Sequence, residues 1–498
     1  MPAKTTHPRR DSLCAGIPLH HVFWMILSLL CLQISTAAEP EPAGSRPFRA
    51  GAATSNITPP LGGAIIGGFT PIPGTHIHDE LHVRCLVLDD GQQQVAIVVC
   101  DLLGIHRSVS DVARARIQER TGIPSTHVLI SATHTHSATS TLGQSRYDQT
   151  VPLDTYQEFV VQRIVDGVQC AATLLRPAEL IVGQVDAPEH VFNRRWHMTP
   201  GSIPPNPFGQ TDLVKMNPPA GNRDLLKPAG PIDPTISFLY FREPTGAPIA
   251  LYAAYSLHYV GGVGNGHVSA DYFGMFCDAL QQRLQPPDQE LPFVAMLANG
   301  TSGNINNIDF RTPRPAQPAY QQMRHVARDV AEKVDTATQG LTGTTEVSLQ
   351  AVWKELEVGW RIPTAAQLDW ANQTLAQPEP APGKTDLARI YAERVRNLAD
   401  QPAIAPVPLQ VLRIGPVCIG TMPCEVFCEI GLAFRQRTAQ QPAFLVSLSH
   451  GYFGYLPTPE QHRLGGYETW LGTNRLEEQA SDKMLDELIR MTETVRSP

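Results

Sequence analysis

At 498 residues the chain has room for two or three average domains or for one large α/β catalytic unit. A hydrophobic content of 42% with only 17% charged residues excludes a disordered chain, and a formal net charge of −8 argues against nucleic acid as a partner. The 44 prolines and 38 glycines imply many ordered loops, and loops on a rigid frame are where sites collect.

The first segment reads as an address. Lys4, Arg9 and Arg10 precede an apolar stretch over 22–32, and small residues follow as far as Ala38. This is the pattern of an export signal over 1–38, with an uncleaved anchor as the alternative. A core of about eleven residues is short for a membrane span, and no other run of 18 apolar residues follows. Cleavage would remove three positive charges and one negative, taking the net charge from −8 to −10. It would leave Cys85, Cys100, Cys170, Cys277, Cys418, Cys424 and Cys428. An odd, sparse set is no disulfide framework, although one or two bridges are compatible with an oxidising compartment.

The mature chain opens with FRAGAATSNITPPLGG, a short strand and a Pro/Gly turn. ELHVRCLVLDDGQQQVAIVVCDLLGI gives two β-rich runs joined at Asp90-Gly91 as a hairpin. Residues 108–121 have helical spacing behind a Ser cap, and HVLISATHTHS is a strand running into a loop. Strand, helix, strand implies a crossover and parallel pairing. A helix over about 154–175 and a strand at AELIVGQV follow. Residues 193–234, rich in Pro, Gly and Asn, are too long for an ordinary connection and read as a functional loop. PTISFLYFRE and APIALYAAYSLHYVGG form a second hairpin-like pair, and PFVAMLANGTSGNINN is a buried strand emptying into a Gly/Asn loop. Helices dominate 317–337 and 364–400, with QPEPAPG near 380 as a local connection. LQVLRIGPVCIGTM and AFLVSLSHGYFGYL are late strands with the helix CEVFCEIGLAFRQRT between them. No internal repeat is visible. The fold expected is α/β, with mixed β-sheets stacked and flanked by helices and the site at strand ends.

Several apolar runs end in a residue able to bind metal. His134 and His136 close one, His258 closes LYAAYSLH, Glu425 follows VCIGTMPC, and Tyr455 lies in GYFGYLPT. In α/β sheets such ends gather at one edge. Residues i and i+2 of a strand share a face, so an extended SATHTHS would turn both imidazoles into one space. Two imidazoles and a carboxylate suit a hydrolytic zinc site that keeps a position open for water, with a phenolate as a rarer fourth ligand. Taken singly, each residue also has a plain structural explanation: a satisfied core histidine, a helix-cap glutamate, a tyrosine at a turn.

The chain carries, in order, GAATSNITPP, SATHTHS, NRRW, LHYVGG, HVSADYFG, NGTSGNINN, MPCEVF and GYFGYLPTPEQHRLGGYETW. In this combination it resembles the N-terminal catalytic domain of the neutral, non-lysosomal ceramidases over about residues 49–475, which implies that 39–498 is such a catalytic domain once the signal is removed. The resemblance implies Zn²⁺ held by His134, His258, Glu425 and Tyr455. It also implies His136 as proton shuttle, Arg194 as a substrate-holding residue and Tyr467 as donor to the oxyanion. The chemistry agrees with those roles. An amide is a poor electrophile with a poor leaving group, so its hydrolysis needs a strong nucleophile, stabilisation of developing O⁻ and a proton for the departing nitrogen.

The expected activity is hydrolysis of the N-acyl linkage of ceramide or a related N-acyl lipid to a sphingoid base and a fatty acid. Another amide, such as an N-acyl amino sugar or a peptide-like compound, is the alternative, and a zinc-containing protein without turnover is the rival from another class. Peripheral contact with a membrane would follow from a lipid substrate. Two features depart from the family: Cys424 stands where members usually carry Gly and could itself touch the metal, and the family's C-terminal sandwich domain is expected to be absent. His267 and Asp271 are candidates to orient His258, and Asp101 to orient His134. Asn299, Gly303 and Asn304 either line the site or simply make a turn.

Overall fold

In the segment QVAIVVC, Val95, Ile97 and Val99 alternate with Ala96, Val98 and Cys100, and all six are buried. Side chains along a strand point to opposite faces, so a strand apolar at every position must be covered on both. A computed structural model describes residues 47–143, 151–379 and 385–495 and shows how this is done. Three sheets, one of five strands and two of four, turn one face each to a shared core, and helices cover their other faces. The proposed signal over 1–38 and part of the Pro-rich connection near 380 lie outside the described residues.

The first sheet holds β1 (Arg49–Asn56), β2 (His82–Asp89), β3 (Gln94–Cys100) and β4 (Val128–Ala132), with Arg176–Pro177 on its edge. The second holds β5 (Glu179–Asp186), β6 (Thr235–Arg242), β7 (Pro248–Tyr255) and β8 (Val294–Asn299). The third holds β9 (Leu349–Gly359), β10 (Ile404–Ile414), β11 (Val417–Thr421) and β12 (Ala443–Val446). One cluster joins Ile97 and Leu129, Tyr252 and Met296, and Ile419 and Phe444, two residues from each sheet. Each such side chain taken out of water contributes about 1.5–3 kcal/mol.

Helices α1 (Arg107–Thr121) and α2 (Thr155–Thr173) cover the first sheet. The second is covered by α3 (Asp271–Leu284) and α4 (Gln321–Thr338). On the third lie α7 (Cys428–Arg437) and α9 (Ala480–Thr494), together with residues of α5 (Ala365–Leu375) and α6 (Leu387–Ala399). A short α8 (Pro459–Leu464) precedes α9. No helix of the described residues is long and apolar enough to cross a membrane.

Each sheet has the same topology. Its first three strands pair antiparallel, and its last pairs parallel with the third after a helical crossover: α1 between β3 and β4, α3 between β7 and β8, α7 between β11 and β12. The chain therefore repeats a unit three times without repeating its sequence, because the pattern needs only apolar strands and a covering helix.

Other expectations shift. The cap of α1 is His106, whose ring accepts from the Ser108 amide, rather than a serine. Region 193–234 is not structureless: Arg195–Met198, Val214–Met216 and Leu225–Pro228 form a small antiparallel sheet. β9 was not expected, because LQAVWKELEVG carries Lys354, Glu355 and Glu357, which are poor strand formers. It is an edge strand paired with β10 along its whole length, and charges on an edge discourage pairing with other chains. All seven described cysteines are free thiols.

Candidate metal centre and active site

The three parallel pairs end together. Past β3 and β4, Thr133 and His134 stay bonded through their amides to the Cys100 and Leu102 carbonyls, each at 2.9 Å. Asn299, the last residue of β8, donates its side-chain amide to the Thr133 carbonyl at 2.9 Å and its own carbonyl receives the Ser447 amide at 3.0 Å. The Leu448 carbonyl in turn receives the Ala132 amide at 3.1 Å. Residues following the three sheets are thus stitched into one floor, and each sheet delivers part of the site.

From the first sheet come His134 and His136. The strand stops at Ala132, and His134 has φ +71°. The rings therefore do not meet by strand alternation, as expected from SATHTHS. A left-handed residue turns the chain, and the two Nε2 atoms still come within 3.1 Å. Such a conformation costs on the order of 1–3 kcal/mol in a non-glycine residue and persists only where its surroundings enforce it. Here the enforcing bonds are the His134 amide to Leu102 and the ring Nδ1 to the Leu103 carbonyl at 2.6 Å. His136 stacks on Tyr259, centroids 3.7 Å apart.

The second sheet supplies His258, three residues beyond β7, whose Nδ1 donates to the Ser302 carbonyl at 3.0 Å. The third supplies Glu425 and Tyr455, which lie side by side as register partners in a short parallel ladder of Glu425–Val426 with Tyr455–Leu456. Glu425 Oε2 lies 3.2 Å from His134 Nε2 and 3.7 Å from His258 Nε2. The nitrogens of His134, His136 and His258 all fall within 4.8 Å of one another.

These residues fit a bound cation. Both Nδ1 atoms of His134 and His258 face backbone carbonyls, so each ring carries its proton there and turns the lone pair of Nε2 inward. His258 Nε2 and Glu425 Oε2 are buried and have no hydrogen-bond partner. A buried acceptor left unmatched is costly, and two converging on one point call for a positive centre. Burial drives His136 and His258 well below the usual imidazole range, with His134 adding to the effect on His136 and Arg194 on His258. Burial pushes the other way on Glu425, but the His134 and His258 rings and the Tyr452 hydroxyl outweigh it and hold the carboxyl well below its ordinary value. Neutral nitrogens beside a carboxylate form a donor set typical of zinc.

Arg194 is buried and spends its guanidinium on three groups: Glu468 at 3.0 Å, the Gly303 carbonyl at 2.8 Å and the Tyr455 hydroxyl at 3.0 Å. Burial raises the Tyr455 phenol well above its usual range, and this guanidinium opposes it. Tyr467 faces Tyr455 with ring centroids 5.8 Å apart. His134, His136, Arg194, Glu425, Tyr455 and Tyr467 all line one cavity of about 1380 Å³.

The expected orienting residues are elsewhere. Asp271 receives the Val260, Gly261 and Tyr272 amides, and His267 bonds Tyr320, so neither touches His258. Asp101 is spent on Arg84 at 2.5 Å and on the His82 amide, and the Leu103 carbonyl orients His134 instead. Cys424 packs in the apolar cluster of the third sheet with Met422 and Phe453, and burial raises its thiol. It stands one residue before the short strand that carries Glu425.

The Gly/Asn loop does serve the site. Ser302 orients His258, Asn304 receives the Arg194 amide on its carbonyl, and a Cβ on Gly303 would lie 2.5 Å from the Glu425 carbonyl. Sequence reasoning missed Tyr452, which donates to Glu425 Oε1 at 2.7 Å, and Glu468, which bridges Arg194 and Arg195. Both sit inside motifs already singled out, beside Tyr455 and Tyr467.

Comparison with known proteins meets this geometry. A solved ceramidase in complex with C2 superposes with a TM-score of 0.68 at 17% identity, covering 90% of this chain and 75% of that one. The crystal structure of neutral ceramidase from Pseudomonas aeruginosa gives 0.62 at 18% identity, covering 91% and 75%. The sequence profile of the neutral/alkaline non-lysosomal ceramidase N-terminal region matches residues 48–312, which include His134, His136, Arg194 and His258. This chain belongs to the neutral/alkaline non-lysosomal ceramidase family.

Proposed function

We propose that the protein is an exported, zinc-dependent amidohydrolase, with 39–498 as its catalytic domain, that cleaves the N-acyl bond of ceramide or a related N-acyl lipid to an amine and a fatty acid. The observation that carries this reading is the pair of unmatched buried acceptors, His258 Nε2 and Glu425 Oε2, facing His134 Nε2 at the wall of a large cavity. His134, His258, Glu425 and Tyr455 would hold the ion. When bound, zinc supplies a Lewis acid and an acidified water.

The protein's own groups do the rest. His136, neutral by burial and turned into the cavity, takes a proton from the attacking water and passes it to the departing nitrogen. Tyr467 donates its hydroxyl to the developing oxyanion. Arg194 holds Tyr455 through its Nη2, which leaves Nη1 outside those bonds and able to reach substrate. The deciding experiment assays the purified mature chain on a fluorescent short-chain ceramide and a panel of N-acyl amides, zinc-loaded and after chelation. Hydrolysis lost on chelation and restored by zinc supports the reading, and full activity in the chelated sample removes the metal. N-terminal sequencing of the protein recovered from the exported fraction tests cleavage after Ala38.

A further inference from the structure

Glu425 has one oxygen to give to an ion, because the other is already bonded. Its Oε2 is the atom without a hydrogen-bond partner, 3.2 Å from His134 Nε2 and 3.7 Å from His258 Nε2. Its Oε1 receives the Tyr452 hydroxyl at 2.7 Å. The last torsion of a glutamate is broad and the two oxygens are chemically alike, so which of them meets an ion depends on what holds the other.

The local chain explains how a phenol comes to stand there. In GYFGYLPT, Phe453 is buried in the apolar cluster of the third sheet, and its amide donates to the Pro423 carbonyl at 2.8 Å, two residues before Glu425. Gly454 follows with φ +79°, and its carbonyl receives the Glu425 amide at 3.0 Å. A Cβ on Gly454 would run into the Thr473 carbonyl, so the turn needs glycine. Flanking this anchored turn, Tyr455 lies beside Glu425 as its register partner and Tyr452 reaches its Oε1. Tyr452 is itself held, since Arg475 Nη1 donates to its carbonyl at 3.2 Å and the guanidinium carbon lies 5.1 Å from its ring centroid.

The kind of donor matters. An arginine or lysine on Oε1 would bring a positive charge to the carboxylate and compete with a cation for it. A phenol supplies one hydrogen bond and no charge, so the whole negative charge of Glu425 stays available to an ion. Both tyrosines line the cavity, so the carboxylate is steered at the wall where a substrate would arrive.

We propose that Tyr452 is the positioning residue of the metal centre: by reserving Oε1 it makes Glu425 bind through Oε2 alone, so that the four protein ligands leave a position open for water. A carboxylate gripping with both oxygens would fill that position. This role rests on the zinc reading of the site.

The test compares the purified wild type with Tyr452→Phe, which removes the hydroxyl and keeps the ring with its contacts to Gly104 and Arg475. Each protein is titrated with zinc against a chromogenic chelator and then loaded with cobalt(II), whose visible bands report the number and arrangement of its ligands. Tyr452→Phe should bind zinc about tenfold or more weakly, and its cobalt bands should shift and lose intensity as the freed oxygen joins the ion. Tyr467→Phe, which removes a cavity phenol that does not bond Glu425, should keep the wild-type cobalt spectrum. An unchanged spectrum in Tyr452→Phe, whatever its zinc affinity, overturns the positioning role alone, as does an equal change in Tyr467→Phe. A wild type that takes up neither zinc nor cobalt overturns the zinc reading and this role with it.

Discussion

His134 and His136 share one dipeptide spacing but not one environment. His134 is pinned at both its amide and its Nδ1, and its Nε2 faces Glu425. His136 stacks on Tyr259 and lines the cavity, so its ring can change partners. The proposed division of labour follows from that difference. His134→Ala should bind less than one zinc per chain by elemental analysis, whereas His136→Ala should keep its zinc and lose about 10²–10⁴ in kcat. Equal zinc in both variants would undo the assignment. At this scale the sequence showed which residue types converge, since a His-x-His, a strand-end His and a Glu before a helix are all visible. It did not show what orients them. The orienting groups are main-chain carbonyls of Leu103 and Ser302, which carry no signature in a side-chain alphabet.

Among the elements, the parallel pairs were legible wherever both strands were apolar runs separated by a helix, as with β3, α1 and β4. The edge strand β9 was not, because one of its faces meets water and its charges mask the pattern. Two positions show how elements hold the site. Gly303 approaches the Glu425 backbone so closely that a methyl group would meet the carbonyl at 2.5 Å. Gly303→Ala must push the β8 loop from the β11 loop, which carry Ser302 and Glu425. It should weaken zinc affinity in a competition titration with a chromogenic chelator while far-UV circular dichroism stays unchanged. Native zinc affinity in that variant would show that the approach is slack.

Asp271, at the start of α3 with φ +59°, ties down the chain after His258 by receiving the Val260 and Gly261 amides. Burial raises its carboxyl from 3.8 to about 6. The folded chain therefore takes up a proton at a pH where the unfolded chain has not, and this group's contribution to stability grows as pH falls through 6, is complete below 3.8 and is lost as pH rises. Relative to Asp271→Asn, the wild type should gain urea resistance between pH 7 and pH 5. A constant difference between the two proteins over that range would contradict the raised value.

For the whole molecule, the consequence of the threefold arrangement is that one ion would tie three sheets together. His134 follows the last strand of the first, His258 follows a strand of the second, and Glu425 and Tyr455 lie in the short two-stranded ladder that follows the strands of the third. Without the ion, the ionised Glu425 and the unmatched His258 Nε2 are buried at the junction, so the metal-free fold bears a local penalty that binding relieves. A ligand that binds only the folded state stabilises it by RT ln(1 + [L]/Kd), about 4 kcal/mol at a thousandfold excess over Kd. In a chain this long, that free energy corresponds to a rise of only a few degrees in the melting temperature. The proof is in its form: the melting temperature should climb with the logarithm of free zinc and fall back on chelation. His258→Ala, which removes the second sheet's ligand, should flatten the slope. A wild-type melting temperature indifferent to zinc and chelator would mean that the three sheets meet there without sharing an ion.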